Sequence, residues 1–201
     1  MHVSSYNKMS WFKNMYLNDF DSLNILDVGS LDNTGNNFNY KSIFDKSNWN
    51  YVGLDFEEGD NVDLVAKNVY SWDEIKDNSY DVVICGQLFE HLAFFWIIMS
   101  EIDRILKPGG FCCIIAPSAG PKHGSSKFDG YRFSDDGMLA IAESVNFNVI
   151  YHSTNMDKDA QPWNDSCLIA RKKGHLFSEN SELNNKVEDI EYIVNHLDDF
   201  A

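Results

Sequence analysis

The residues of this chain best suited to hold a charged ligand lie between Ile25 and Gly35, where the sequence reads ILDVGSLDNTG. An apolar run meets Asp27 and breaks at Gly29 into a turn. Such a run reads as a buried parallel strand, and open α/β sheets bind ligands beyond the C-terminal ends of their strands, where Asp27 falls. Gly29 carries no Cβ, so the backbone can turn sharply and a ligand can approach the main chain. A dinucleotide turn needs G-x-G-x-x-G to surround a pyrophosphate with backbone amides. Counted from Gly29, the second and third glycine positions hold Leu31 and Thr34, and Asp32 adds negative charge where a pyrophosphate would sit. The turn therefore argues against a nicotinamide cofactor and for one that carries positive charge. From Asn36 a helical pattern follows, with Phe38, Ile43 and Phe44 as its apolar members.

S-adenosylmethionine has a sulfonium, an ammonium group and no phosphate, which suits an acid-rich turn. The next segments agree. Asn50 to Phe56, NYVGLDF, reads as a second strand ending in Asp55, and Val62 to Ala66, VDLVA, as a third. An acidic side chain after the second strand can accept both ribose hydroxyl hydrogen bonds.

Further along come YDVVICGQLFEHL at Tyr80 to Leu92 and RILKPGGF at Arg104 to Phe111. Together with LDVGS at Leu26 to Ser30 and VGLD at Val52 to Asp55, in this order, the chain resembles the class I S-adenosylmethionine-dependent methyltransferases. IIAPSAGPKHG from Ile114 and YRFSDDGM from Tyr131 resemble a subgroup of small bacterial-type, type 11-like members. One departure is the first turn, where Ser30, Leu31 and Asp32 replace the family's frequent G-x-G-x-G. The resemblance implies a Rossmann-like, doubly wound α/β fold: a seven-stranded, mainly parallel sheet with one antiparallel strand and helices on both faces. It implies S-adenosylmethionine as cofactor, with Asp27, Gly29 and Ser30 toward its methionyl end, and Asp55 and Phe56 at the ribose. Asn68 and Val69 fall at the adenine, and Gly86 and Gln87 beside the methyl group. For Asn68 a plain loop asparagine is the alternative.

His91 is the candidate base, on what reads as the first turn of a helix, whose dipole would keep the ring neutral. An orienting or packing histidine is the competing reading. Glu90 is ambiguous, since a carboxylate at a helix start is favoured whatever its function. The substrate side is expected in the loop with His123, Lys127, Asp129, Tyr131 and Arg132, joined by Trp163 and Asn164. Arg132 could grip an anion bidentately, or pair with Asp129, Asp135 or Asp136.

Composition bounds the rest. A net charge of −15 and a pI near 4.6 argue against nucleic acid and anionic membranes as partners. A small-molecule methyl acceptor remains. No apolar run is long enough to span a bilayer, and the first residues lack a signal-peptide pattern, so a cytoplasmic location is expected. Cys85, Cys112, Cys113 and Cys167 lie in apolar runs without metal-ligand or disulfide spacing and read as core residues. No metal ion is expected.

Positioning elements follow from periodicity. Tyr6, Met9, Phe12, Met15 and Tyr16 recur at helical spacing, in a segment that either covers the cofactor or only packs on the sheet. A fourth strand spans Tyr80 to Cys85. A long helix from near Glu90 has Leu92, Phe95, Trp96, Met99, Ile102 and Leu106 on its buried face. KPGG at Lys107 to Gly110 stops it before a fifth strand, Phe111 to Ala116. A long loop to about Tyr131 reads as a lid or binding element. A helix from Ser134 or Asp135 to Val145 and strands at Phe147 to His152 and Ser166 to Lys172 complete one domain over residues 1–174. Residues 175–201 form an acidic extension in which Leu183, Val187, Ile190, Val194 and Leu197 mark an amphipathic helix. That helix either forms a homodimer or docks on its own domain. The expected activity is methyl transfer to oxygen or nitrogen of a small metabolite, such as a sugar or saccharide precursor. The alternative is a catalytically silent binding module acting through a partner protein.

Overall fold

The computed structural model describes residues 3–32, 35, 39–123, 128–156 and 158–174. The C-terminal extension with its amphipathic pattern, Lys127, and the Asn36 to Phe38 start of the helical pattern lie outside them.

Seven strands form one sheet: β1 (Leu23–Val28), β2 (Trp49–Asp55), β3 (Leu64–Val65), β4 (Tyr80–Gly86), β5 (Leu106–Ala116), β6 (Asn148–Thr154) and β7 (Ser166–Arg171). Their order is β3-β2-β1-β4-β5-β7-β6. The first five run parallel, and β7 is antiparallel to both β5 and β6. The strand order reverses between β1 and β4, the crevice where open α/β sheets bind ligands.

Alternation along β4 shows how two cores are built from one sheet. Val82 and Ile84 join one apolar cluster with Ile25, Phe111 and Cys113. Val83 and Cys85 join the other with Leu26, Val28, Cys112 and Ile114. Because both faces are covered, these strands are apolar nearly throughout. Helix α1 (Val3–Phe12) and the π-helical turn after it, Lys13–Leu17, cover the first face with Met9, Phe12 and Tyr16. Met15, expected in that stripe, is 43% exposed. Helices α2 (Phe95–Ile105) and α3 (Asp135–Ser144) cover the second. Ser134 caps α3, its Oγ accepting from the Gly137 amide at 3.2 Å, a contact worth about 1 kcal/mol.

Two expectations are corrected. The segment after β4 is not the start of a long helix: Phe89–His91 is a three-residue 3-10 turn, and Leu92 is extended before α2 begins at Phe95. The chain is held out of the helix by the long loop, since Tyr131 Oη donates to the Ala93 carbonyl at 3.0 Å and His91 Nδ1 pairs with the Phe128 carbonyl at 3.0 Å. The buried face of α2 is consequently Ile98, Met99, Ile102 and Ile105, while Trp96 is 47% exposed and Leu106 already belongs to β5. Second, among the described residues the segment after the first turn shows only a 3-10 turn at Tyr40–Ser42, although Ile43 and Phe44 are buried as expected. KPGG leaves the β4–β5 ladder as a bulge: Tyr80 faces Leu106, and pairing resumes at Val82 and Phe111.

Candidate functional site

Register brings the candidate residues to one edge. Asp27 pairs with Gly53 and Ile84, Gly86 with Ile115, and Ala116 with Ser166. The ends of β1, β2, β4 and β5 therefore meet the loop carrying Asp165.

Asp27 is 2% exposed, and Tyr51 Oη donates to its Oδ2 at 2.5 Å. Its Oδ1 has no hydrogen-bond partner among the described residues. Burial pushes the carboxyl up to about 7, against the Tyr51 bond and with Asp55 adding repulsion. Gly29 takes φ +83°, a left-handed conformation that favours glycine, and an added Cβ would press on Leu88 at 3.0 Å. Ser30 is buried beside it. Asp55 Oδ2 accepts from the Leu31 amide at 2.9 Å, and Oδ1 from the Phe56 amide at 2.6 Å. Oδ1 also accepts from the Glu57 amide at 3.4 Å, so the carboxylate ties the first turn to the second while Oδ2 retains a lone pair for a further donor. Phe56 packs on the core. Asn68 is exposed and its Oδ1 accepts from the Tyr70 amide at 2.9 Å, an Asx-type turn. The adjoining Val69 carbonyl accepts from Trp72 Nε1.

At the end of β4, Gly86 lies against Tyr40, whose hydroxyl would be 2.0 Å from an added Cβ. Gln87 has φ +61° and gives its Nε2 to Asp165 Oδ1 at 3.1 Å. Ser4 Oγ also donates to Asp165. Beyond them Glu90 is fully buried, and neither carboxylate oxygen has a hydrogen-bond partner among the described residues. Burial pushes it up to about 8, with Asp165 raising it further and Arg132 opposing. Asp27, Glu90 and Asp165 give this edge three carboxyl groups no more than 2% exposed, the environment in which a cationic ligand gains most. The unpartnered oxygens of Asp27 and Glu90 and the turn at Gly29 fit a sulfonium cofactor with a free ammonium group.

The expected substrate loop closes over this edge. His91 and His123 have ring centroids 5.1 Å apart, and His123 lies 4.3 Å from the Trp163 ring. The Trp163 carbonyl accepts from the Ser118 and Ala119 amides, which fastens the two loops together. Arg132 is engaged within the loop: Nη1 and Nη2 reach Asp129 Oδ1 and Oδ2 at 2.6 and 3.0 Å, and the guanidinium also donates to the carbonyls of Gly120, Pro121 and Tyr131. This pairing holds the Asp129 carboxyl well below the usual range, burial opposing it. Asp129 also accepts the His123 amide at 2.7 Å. Tyr131 packs against Phe95, Phe128 and Phe133. The structure therefore gives Arg132 and Tyr131 a loop-holding role and brings His91, His123 and Trp163 together. The dipole expected for His91 is absent, because it ends a three-residue turn.

Tyr51, Asp165 and Tyr40 were not legible as site residues. Tyr51 reads as an ordinary strand aromatic, and Asp165 sits in a polar loop that only folding carries to Gln87. A cavity of about 860 Å³, lined in part by Ser4, Asn7, Trp11 and Tyr151, opens on the α1 side. Ser4 links its wall to Asp165. The four cysteines are buried and free. Among the described residues no helix is long and apolar enough to cross a membrane.

Residues 26–114 match the model of a family described as a methyltransferase domain. Comparison with curated protein sequences finds no match. Among solved structures, the Burkholderia thailandensis 1,6-didemethyltoxoflavin-N1-methyltransferase, bound to 1,6-didemethyltoxoflavin and S-adenosylhomocysteine, is similar at a TM-score of 0.67 and 13% identity, over 85% of this chain and 79% of that one. The [4+2]-cyclase SpnF is similar at 0.62 and 13% identity, over 84% and 80%. A SAM-dependent methyltransferase from Methanosarcina mazei is similar at 0.57 and 14% identity, over 86% and 98%. Likeness at such identities shows the fold, and the cyclase illustrates that one fold carries more than one reaction.

Proposed function

The chain belongs to the class I S-adenosylmethionine-dependent methyltransferases, enzymes that use S-adenosylmethionine, and on that premise we propose that it methylates an oxygen or nitrogen of a small metabolite at the edge formed by Gln87, Glu90 and His91. The observation that carries this reading is Asp27, buried beside the Gly29 turn with Oδ1 unpartnered among the described residues. A cofactor ammonium group supplies that oxygen with a charge-assisted donor. Ser30 lines the same turn, Asp55 and Phe56 flank the ribose, Asn68 and Val69 the adenine, and Gly86 and Gln87 the methyl group.

On the acceptor side, His91 Nδ1 faces a carbonyl, which only accepts, so Nδ1 carries the hydrogen and the lone pair belongs to Nε2. With S-adenosylmethionine bound, that lone pair would take the acceptor's proton as the methyl group passes from sulfur to the acceptor and S-adenosylhomocysteine leaves with the sulfur–carbon electron pair. His123 and Trp163 border the acceptor, with Tyr131 and Arg132 fixing the loop behind them. The acidic composition favours a small molecule over nucleic acid, and a sugar or saccharide precursor is one such acceptor. Four buried free thiols suit a reducing compartment such as the cytoplasm.

A metabolite screen with methyl-labelled S-adenosylmethionine tests the reading. It is supported by label passing to a small-molecule oxygen or nitrogen, and overturned by label found only on carbon or on macromolecules. Pairing through the C-terminal segment is tested by sedimentation: loss of a dimer on truncation after Lys173 supports it, and an unchanged mass rejects it.

A further inference from the structure

We propose that Glu90, His91 and His123 form a binding site for one divalent first-row transition-metal ion. A carboxylate oxygen of Glu90 and one ring nitrogen from each histidine all lie within 4.8 Å of one another. Two elements distant in sequence are needed to make the cluster, the 3-10 turn after β4 and the loop after β5. Coordination at metal–ligand lengths near 2 Å places neighbouring donors roughly 3 to 3.5 Å apart, so side-chain rotations of about an ångström close the site.

Glu90 supplies the independent observation. Its side chain is fully buried, Oε1 is 3.7 Å from His91 Nε2, and neither oxygen has a hydrogen-bond partner among the described residues. A buried carboxyl group with no hydrogen-bond partner is costly, and a cation between it and the imidazoles supplies the missing partner.

The surroundings orient His91 as a metal site requires and place a charge beside His123. The Phe128 carbonyl holds His91 by Nδ1, which leaves Nε2, the atom toward Glu90, as the Lewis base. Asp129 stands 3.3 Å from His123 Nδ1, and Arg132 fixes that carboxylate from its other side. A carbonyl partner of this kind fixes the tautomer and direction of His91, while Asp129 Oδ2, which accepts from the His123 amide and Arg132, sets a negative charge beside the His123 ring. Two nitrogens and one oxygen suit zinc, manganese or iron(II) better than calcium or magnesium, which prefer all-oxygen cages. Three protein ligands leave coordination positions open for an acceptor oxygen, whose proton an adjacent cation makes easier to lose. The inference rests on placing the acceptor at this edge. It changes the partner of the His91 lone pair from a proton to a metal ion.

The test uses the full chain, stripped with a chelator and titrated with Zn²⁺ by calorimetry and with Co²⁺ by visible absorption. One equivalent of Zn²⁺ is expected to bind, with Co²⁺ giving d–d bands of a nitrogen–oxygen site. Glu90→Gln and His123→Ala should each weaken binding by about tenfold or more, while His152→Ala on β6 leaves it unchanged. Circular dichroism confirms folding, and His123→Ala, in a loop, keeps the test alive if Glu90→Gln does not fold. No binding at about 1 mM metal, an affinity near 4 kcal/mol, overturns the proposal. So does binding that survives both cluster variants or is lost in His152→Ala. S-adenosylmethionine titrated into the same metal-free protein separates the two readings: cofactor binding without metal binding sinks the metal site alone, and metal binding without cofactor binding sinks the cofactor reading alone.

Discussion

The two halves of the candidate site are built differently. The cofactor half is local: Asp27, Gly29 and Ser30 share one turn, and Asp55 ends the neighbouring strand and bonds back to that turn through the Leu31 amide. The acceptor half is assembled from a 3-10 turn, the loop of 117–132 and the loop around Trp163, which are fastened by the Asp129–Arg132 pair and the Trp163 carbonyl. Local chemistry is set by sheet geometry, whereas assembled chemistry depends on loops that must be held.

That contrast predicts separable damage. His91→Asn should lower the maximal rate of methyl transfer by ~10²–10⁴-fold, the usual worth of activating the acceptor, while leaving S-adenosylmethionine affinity nearly intact. Steady-state kinetics paired with calorimetry measure both. A variant that loses cofactor affinity instead would merge the two halves.

Asp129→Asn attacks the loop. It removes the charge that Arg132 and the His123 amide bond, and hydrogen bonds to charged groups are worth roughly 1.5–3 kcal/mol. Denaturant unfolding should register a loss of that order, and amide exchange should rise first in 117–132 rather than at the Gly29 turn. Uniform exchange across both regions would show that the loop is not a separate unit.

A pH-dependent effect belongs to Asp27. Its carboxyl stands at about 7 in the fold against 3.8 ordinarily, so below about pH 4 it is protonated in both folded and unfolded chains. Between those values the folded chain holds more protons, and the contribution to stability falls as pH rises, fully lost above about pH 7. The melting temperature of cofactor-free protein should therefore decline across this window, and decline less in Asp27→Asn. Parallel profiles for the two proteins would remove Asp27 as the source.

The same contrast explains what was legible in the sequence. β1, β2 and β4 are largely apolar runs that carry Asp27, Asp55 and Gly86 at or next to their C-terminal ends, and burial on both faces of a parallel sheet favours that pattern. The start of α2 was not legible. Leu92, Phe95 and Met99 share helical spacing, yet tertiary bonds to His91 from Phe128 and to Ala93 from Tyr131 flank an extended Leu92, and α2 starts only at Phe95. Glu90 and His91 were visible as candidates, but their meeting with His123 depends on a loop path that no periodicity encodes. Arg132 likewise gave two readings, and its five hydrogen bonds within the loop favour the structural one.

The central claim, that S-adenosylmethionine binds across the Asp27 and Asp55 turns, is tested most directly by calorimetric titration of the cofactor into the wild-type chain and Asp55→Ala. One equivalent should bind the wild type, and the variant should bind weaker by ~1.5–3 kcal/mol, the loss of hydrogen bonds to a charged group. Equal affinity in a folded Asp55→Ala protein, or no binding to the wild type, would contradict it.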